Sequence, residues 1–326
     1  MKAIVFKKYG SAEVLQLQEL DKPVPAENEI LIKVHTSTVS VVDCIFREGK
    51  SLFARSFTGF TKPKYQIPGS DLAGEVVATG KNVKKFKEGD RIFGSTNTSF
   101  GAHSEYTCQP EESALAVIPP DMTYEEAAAV PYGFLTALPF LRDTADIQKR
   151  QKILINGASG GIGCYAVQLA KYYGAEVTGV VSTSNLDLVK ALGADKVIDY
   201  TREDFTRNGE TYDIIFDTVG KSSFSRCQKS LKEGGLYLTA AISVRILFNM
   251  LRTSLSHGKK AVITFTGLRN PSEKRQDLDF FKELLAEGKI KPVIDKSFSL
   301  EEIAVAHRHV ESGHKRGTVV ITVINE

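Results

Sequence analysis

Short apolar runs separated by polar turns fill the first third of the chain, and they predict strands. Ala3–Phe6, Val14–Glu19 and Glu29–Thr38 read this way, with Pro23 and Pro25 marking the turn between the last two. Gly74–Thr79 predicts another strand, after which the loop 80–82 and the turn Gly89-Asp90-Arg91 lead into Ile92–Phe93. Residues 47–65 are rich in Ser, Phe, Lys and Gly without a period, which predicts a mobile flap over a cleft or else an ordinary surface loop. At Thr123 the pattern changes. Thr123-Tyr-Glu-Glu126 is a capping box, the Thr hydroxyl accepting from the Glu126 N–H while the Glu reaches back. The apolar run Ala127–Leu141, broken at Pro131, continues that helix.

From residue 151 onwards strand and helix alternate. Strands are predicted at Lys152–Asn156, Glu176–Val181, Lys196–Ile198, Tyr212–Asp217, Gly235–Ala240 and Ala261–Thr266. Helices are predicted at Gly161–Tyr173, Asn185–Leu192 and Ser222–Leu231. Six strands with intervening crossovers suit a doubly wound parallel sheet. Val244–Leu255, apolar and basic, interrupts the rhythm as either a cleft-lining helix or a subunit contact. A polar link at 269–276 precedes a helix with Leu278, Phe281, Leu284 and Leu285 in a stripe, and Ser299–Glu302 is a second capping box. The closing strand, Gly317–Val323, has no place left in the parallel sheet. It returns to the first domain and makes that domain discontinuous.

The pivot is Lys152–Gly163, KILINGASGGIG: an apolar strand, glycines at 157, 160 and 163, then a helix with Ile162, Ala166, Leu169, Ala170 and Tyr173 on one face. Glycines there let backbone N–H groups approach a pyrophosphate, and the helix aims its partly positive end at the same anion. Glycine needed only for a tight turn would look similar in isolation, but the flanking strand and helix favour a dinucleotide site.

Composition narrows the picture further. A chain of 326 residues suggests two domains, and 42% hydrophobic with 25% charged residues is ordinary for a globular protein. A net charge of +3 without a long basic run argues against nucleic acid as partner. The N-terminus MKAIVFKKYG lacks the apolar stretch of a signal peptide, no later run is long enough to span a membrane, and a cytoplasmic protein is expected. Cys44, Cys108, Cys164 and Cys227 form no CxxC pair, which fits free thiols in a reducing compartment.

Several landmarks together resemble the medium-chain dehydrogenases/reductases. Gly69-Ser-Asp-Leu-Ala-Gly-Glu-Val-Val-Ala-Thr-Gly80, Val83 and Gly89-Asp90-Arg91 are similar to their N-terminal signature, and Asn156–Gly163 to their coenzyme loop. Leu192–Asp195, Val197–Tyr200, Phe216–Gly220 and Gly288–Asp295 with Phe298, Leu300 and Glu301 resemble further landmarks. The resemblance is greatest to the zinc-free quinone oxidoreductase branch. It implies an α/β fold: a doubly wound parallel six-stranded Rossmann sheet over 123–267, plus a β-rich GroES-like catalytic domain from 1–122 and 268–326. The turn NGASGGIG also resembles the short-chain dehydrogenases, but it sits mid-chain and no tyrosine after it carries the Tyr-x-x-x-Lys lysine.

The zinc alcohol dehydrogenases of this superfamily hold a metal with Cys, His and an acid. This chain has Ser40-Val-Val-Asp43 and Gly69-Ser70-Asp71 in those places, and none of its histidines (35, 103, 257, 307, 309 and 314) pairs with cysteine at ligand spacing. His307 and His309 read as surface residues of the penultimate helix. A metal-free site is expected, which disfavours a zinc alcohol dehydrogenase. The reaction left is hydride transfer to quinones or α,β-unsaturated carbonyl compounds, where a hydrogen bond meets the developing oxyanion.

Related quinone reductases carry Asn at Ser40 and often Tyr at Phe46. Ser40 and Tyr65 are therefore the catalytic candidates, and Asp43 orders the wall of the cofactor cleft. The resemblance assigns cofactor contacts to Asp43, Thr136, Ser159, Gly160, Gly161, Ile162, Gly163, Tyr200, Val219, Gly220, Ala240, Ala241, Phe265, Thr266 and Gly267. The second strand ends in Val181-Ser182-Thr183-Ser184 with no acid before Asp187, so Ser182, Thr183 and Ser184 suit a 2′-phosphate, with charge from Lys190 or Arg202. NADPH is expected over NADH. The departures at Ser40 and Phe46 leave open a nucleotide-sensing or crystallin-like protein with little turnover. The Ala261–Thr266 strand, outermost in the sheet, predicts a homodimer.

Overall fold

The computed structural model describes residues 1–324 except 97–98 and 256–257. The chain divides into two compact units. The first comprises Met1–Tyr132, Arg269–Glu283 and Pro292–Glu326, and the second Gly133–Leu268 and Leu284–Lys291. This divide differs from 1–122 with 268–326 against 123–267, for local reasons. The capping-box helix Tyr124–Ala128 stays with the first unit, where Tyr124 stacks on His35 at 4.2 Å and the Arg91 guanidinium sits 4.7 Å from its ring centre. Residues 284–291 go with the second, because Gln168 Oε1 accepts from the Lys291 N–H at 2.9 Å and its Nε2 donates to the Lys291 carbonyl at 3.1 Å.

Two β-structures build the first unit. Lys2–Val5 and Gln16–Glu19 form a small antiparallel pair. A seven-stranded sheet runs Ile294–Ser299, Thr318–Thr322, Glu29–Val39, Asp71–Thr79, Arg91–Ser95 and Ala114–Val117, with Tyr106–Pro110 paired to Glu29–Val39. The tail strand Thr318–Thr322 lies antiparallel to Glu29–Val39, placing Val319 opposite Val39. Ile30, Ile32, Val34, Leu72, Val76 and Ile92 fill one core here, and Phe281 from the helix Pro271–Ala286 meets Phe93 edge-on at 6.4 Å, both rings fully buried.

Several local expectations differ from this fold. Within residues 47–65, Leu52–Thr58 is a helix whose N-cap Ser51 Oγ accepts from the Ala54 N–H. Arg55 Nε donates to the Gly49 carbonyl at 2.6 Å, and Tyr9 and Thr58 share a hydroxyl hydrogen bond of 2.9 Å, so distant partners tie down a stretch without period. Val14–Glu19 begins as a 3-10 turn at Ala12–Val14. The strands Tyr106–Pro110, Ala114–Val117 and Ile294–Ser299 and the helix Val41–Glu48 add to the expected elements, the helix starting at the capping box Ser40–Asp43.

The second unit is a six-stranded parallel sheet in the order Lys196–Asp199, Glu176–Val181, Lys152–Asn156, Tyr212–Asp217, Leu231–Thr239, Lys260–Val262. That is the doubly wound order 3-2-1-4-5-6. Leu154, Val180, Ile215, Phe224, Tyr237, Ile246 and Ile263 form its core. The outermost strand is Lys260–Val262, shorter than Ala261–Thr266: its ladder stops where Val262 lies opposite Leu238. Thr264 bonds Thr144 side chain to side chain at 2.7 Å, and Thr266–Leu268 is a 3-10 turn.

Phe281→Ala removes a fully buried ring from the first unit. It should lower that unit's unfolding free energy by about 3–5 kcal/mol in chemical denaturation; a loss below about 1 kcal/mol would mean the ring is not a core residue.

Candidate functional site

In the second unit the glycine turn follows the central strand. Gly157 adopts φ +82°, and a Cβ there would meet Val219 Cγ1 at 2.5 Å. A Cβ on Gly163 would fall 2.1 Å from the Gly157 carbonyl, so this glycine permits helix and strand backbones to touch. Gly160 differs: a Cβ there would meet only the Gly157 carbonyl, at 3.4 Å, and its outer side is open. Gly160 is the N-cap of the helix Gly161–Tyr172 and no side chain caps it. The N–H groups of Gly161, Ile162 and Gly163 thus have no intrahelical acceptor, and the helix dipole makes that end partly positive. An open, uncapped, cationic cradle of this kind fits a pyrophosphate. Asn185 Nδ2 donates to the neighbouring Ser159 Oγ at 3.0 Å and ties the turn to the end of the second strand.

Asp217, fully buried at the end of Tyr212–Asp217, organises the same edge. Its Oδ1 accepts from Asn156 Nδ2 at 3.0 Å and from the N–H groups of Val219 at 3.3 Å and Gly220 at 3.0 Å. Its Oδ2 accepts from the Ser222 N–H at 2.9 Å and the Tyr237 hydroxyl at 3.0 Å. Burial and the Asp217 charge push the Tyr237 phenol well above its usual range, so it stays a donor. The loop Val219–Gly220 is shaped by this carboxylate, a role its sequence position alone does not reveal. Ala240 and Ala241 follow the next strand at this carboxyl edge, where the Ala240 N–H donates to the Asp217 carbonyl at 3.2 Å and the Ala241 N–H to Thr239 Oγ1 at 3.2 Å. Phe265, Thr266 and Gly267 also follow a strand end, but as a turn and not within the strand. Thr136 is half-buried one turn beyond Gly133, where a Cβ would meet the Gly161 carbonyl at 2.3 Å.

Ser182, Thr183 and Ser184 do lie at the end of the second strand, with Ser182 and Ser184 hydroxyls 3.3 Å apart. An acid stands beside them all the same. Asp199, opposite Val181 in the neighbouring strand, accepts from Thr183 Oγ1 at 2.5 Å and Thr201 Oγ1 at 2.7 Å, with Arg202 at 3.6 Å. These hydroxyls hold its carboxyl below the usual range. Scanning for an acid along one strand misses one supplied by the next. Tyr200 is exposed, and its backbone N–H donates to the Val181 carbonyl at 3.0 Å.

The first unit brings Ser40 and Asp43 together, at a helix end. Ser40 is the N-cap of Val41–Glu48 in a capping box. Its Oγ donates to Asp43 Oδ2 at 2.6 Å, its N–H donates to the same oxygen at 2.8 Å, and Ser70 Oγ donates to Asp43 Oδ1 at 2.9 Å. Both groups are buried, and the Ser40 proton is committed to the carboxylate. Tyr65, Asp43, Phe46 and Phe100 line one small cavity, with the Phe100 ring 5.4 Å from Tyr65 and 5.5 Å from Phe46. Asp71, next to Ser70, accepts from the Tyr132 N–H at 2.8 Å. Burial, and then the Asp43 charge, push its carboxyl up to about 8. Burial lowers the nearby Lys274 ammonium in turn.

His307 is not a surface residue. It is fully buried, its Nδ1 lies 3.4 Å from Cys44 Sγ, and its ring meets His103 edge-on at 6.2 Å. Burial, then the His103 and Arg47 charges, keep it neutral, and burial raises the Cys44 thiol far above its usual range. His309 is half-buried and pairs with Asp295 at 2.6 Å. The helix Ile303–Glu311 turns His307 inward, against Val41–Glu48, and His309 toward Asp295 and Phe298. His257 lies outside the described residues.

Residues 26–139 match the alcohol dehydrogenase GroES-like domain, and residues 192–321 match the zinc-binding dehydrogenase family. The 2-methylene-furan-3-one reductase of Solanum lycopersicum is 35% identical over 98% of this chain and 79% of its own. The NADPH-dependent alkenal/one oxidoreductase, chloroplastic, of Arabidopsis thaliana is 34% identical with the same coverage. The quinone oxidoreductase structure from Coxiella burnetii superposes with a TM-score of 0.87 at 29% identity, over 99% of both chains. The chain belongs to the medium-chain dehydrogenases/reductases, in their zinc-free quinone oxidoreductase-like branch. Metal-dependent members of this superfamily make zinc a question for the residues, and these do not fit it. Ser40 and Ser70 both turn their hydroxyls onto Asp43, and among the described residues no group of three His, Cys, Asp or Glu side chains converges.

For Asp71 the folded carboxyl keeps its proton up to about pH 8, while the unfolded one loses it near its ordinary value of 3.8. Stability therefore falls as pH rises through that window, since the unfolded state binds fewer protons. Asp71→Asn should be more stable than the wild type by a margin that grows from about pH 4 to about pH 8 and then levels off. A margin independent of pH in denaturation titrations would show that Asp71 is ionised throughout.

Proposed function

We propose that this chain is an NADPH-dependent reductase passing hydride to quinones or α,β-unsaturated carbonyl compounds without a metal. The open glycine turn at Gly160, backed by the loop that Asp217 shapes, carries this reading. The relatives named as NADPH-dependent alkenal/one oxidoreductase and quinone oxidoreductase support it. The dinucleotide supplies the hydride when bound. Ser159–Gly163 hold its pyrophosphate, Ser182 and Ser184 its 2′-phosphate, and Val219–Gly220 with Ala240–Ala241 its nicotinamide half. Of the two hydroxyl candidates, Ser40 already donates to Asp43. Tyr65 is left to meet the oxygen on which charge develops. Asp43 serves the wall of the site through Ser40 and Ser70 and moves no proton.

We further propose a homodimer built on the edge strand Lys260–Val262, whose outer side has no partner strand among the described residues, and a reducing cytoplasmic compartment, which suits the four free cysteines. Light scattering that returns the mass of one chain would overturn the dimer.

Steady-state oxidation of NADPH against a quinone and enone panel should show saturable turnover, and Tyr65→Phe should cut kcat by about ten- to a hundredfold. Tight NADPH binding with no oxidation above the enzyme-free rate would leave a nucleotide sensor instead. The carboxylate of Asp199 opposes a 2′-phosphate, so Asp199→Asn should raise the preference for NADPH over NADH by about three- to tenfold, measured as a ratio of kcat/KM values. An unchanged ratio would place the adenosine end away from Asp199.

A further inference from the structure

We propose that the helix Val244–Ser254 is a docking surface for an anionic lipid bilayer. Ser243 caps it, its Oγ accepting from the Ile246 N–H at 3.3 Å. One face is buried: Ile246, Asn249 and Thr253 turn into the sheet core. The opposite face is apolar and uncovered, with Val244 85%, Phe248 64%, Leu251 73% and Leu255 94% exposed. Their spacing of four, three and four residues makes a continuous stripe along the helix. Buried polar residues facing in and large apolar residues facing out is the reverse of an ordinary surface helix, and such a patch marks an interaction site.

Charge selects the partner. No Asp or Glu occurs between Glu233 and Glu273, while Arg245, Arg252 and Lys259 lie inside that interval; Arg269 also falls there but is paired with Asp277 and Glu273. Arg245 donates to the neutral Ser225 Oγ at 2.6 Å, so its charge is uncompensated. A basic helix with an exposed apolar stripe suits the headgroup layer of anionic lipid, its cations on the phosphates and its apolar side chains among the upper acyl carbons. No helix among the described residues is long and apolar enough to cross a membrane, so the contact is interfacial. A second copy on this face would gather the Arg245 and Arg252 cations of both copies at one seam with no acid on the segment to offset them, which disfavours it. Bilayers also concentrate lipophilic quinones; that benefit rests on the reductase reading, whereas docking is read separately.

The full chain should co-sediment with vesicles of phosphatidylcholine containing phosphatidylglycerol, not with phosphatidylcholine alone, and added salt should release it. Phe248→Ser with Leu251→Ser should abolish binding, and Arg245→Gln with Arg252→Gln should weaken it about thirtyfold at low salt. These side chains are exposed, so circular dichroism and melting temperature should be unchanged. A wild type left in the supernatant with anionic vesicles overturns the proposal whether or not NADPH turnover is found. So does equal sedimentation of the Phe248/Leu251 variant. A drop in that variant's solution mass, without vesicle binding by the wild type, would assign the face to a second copy and likewise overturn it.

Discussion

The second unit depends on one backbone approach, the Gly163 α-carbon against the Gly157 carbonyl. Any side chain at 163 would enter that oxygen's space, a Cβ standing 2.1 Å from it. Because the helix can close on the strand here, its first N–H groups are carried to the carboxyl edge of a parallel sheet, with Gly160 left open above them. A doubly wound sheet collects its loops at that edge. The remaining pieces are arranged to keep the cradle in place. Asn185 holds Ser159, and Asp217 gathers the N–H groups of Val219, Gly220 and Ser222 about one buried carboxylate.

The polar centre of the first unit obeys a different constraint, the satisfaction of buried groups. Asp43 is buried and takes two hydroxyl protons and a backbone N–H, so each partner is spent on it. A buried carboxylate lacking those donors would be costly. Asp71 has fewer donors and a charged neighbour, and it answers by keeping its proton. Two acids of one unit thus meet burial differently: Asp43 gathers three donors, while burial and the Asp43 charge push the Asp71 carboxyl up to about 8.

Elements with a strong local signal were legible. The strand–glycine–helix unit, the capping boxes at Thr123 and Ser299, and the strands of the parallel sheet all carry short-range patterns that burial then reinforces. Signals that depend on a distant partner were not. Leu52–Thr58 is held by Tyr9 and Gly49, Asp199 reaches Thr183 across a strand pair, and His307 faces inward because Cys44 and His103 lie behind it.

While the family resemblance implied that Ser40 and Ser70 stand where zinc members hold Cys and His, the sequence by itself determined the alternation of strand and helix and the glycines that permit the turn. These follow from side-chain type and spacing, which act over a few residues. Tertiary structure alone decided that Ser70 joins Ser40 in donating to Asp43, that the Asp71 carboxyl is pushed up to about 8, and that Val244–Ser254 turns its apolar stripe outward. Burial and hydrogen-bond partnership are set by groups far apart in the chain, and no local pattern encodes which of them will meet.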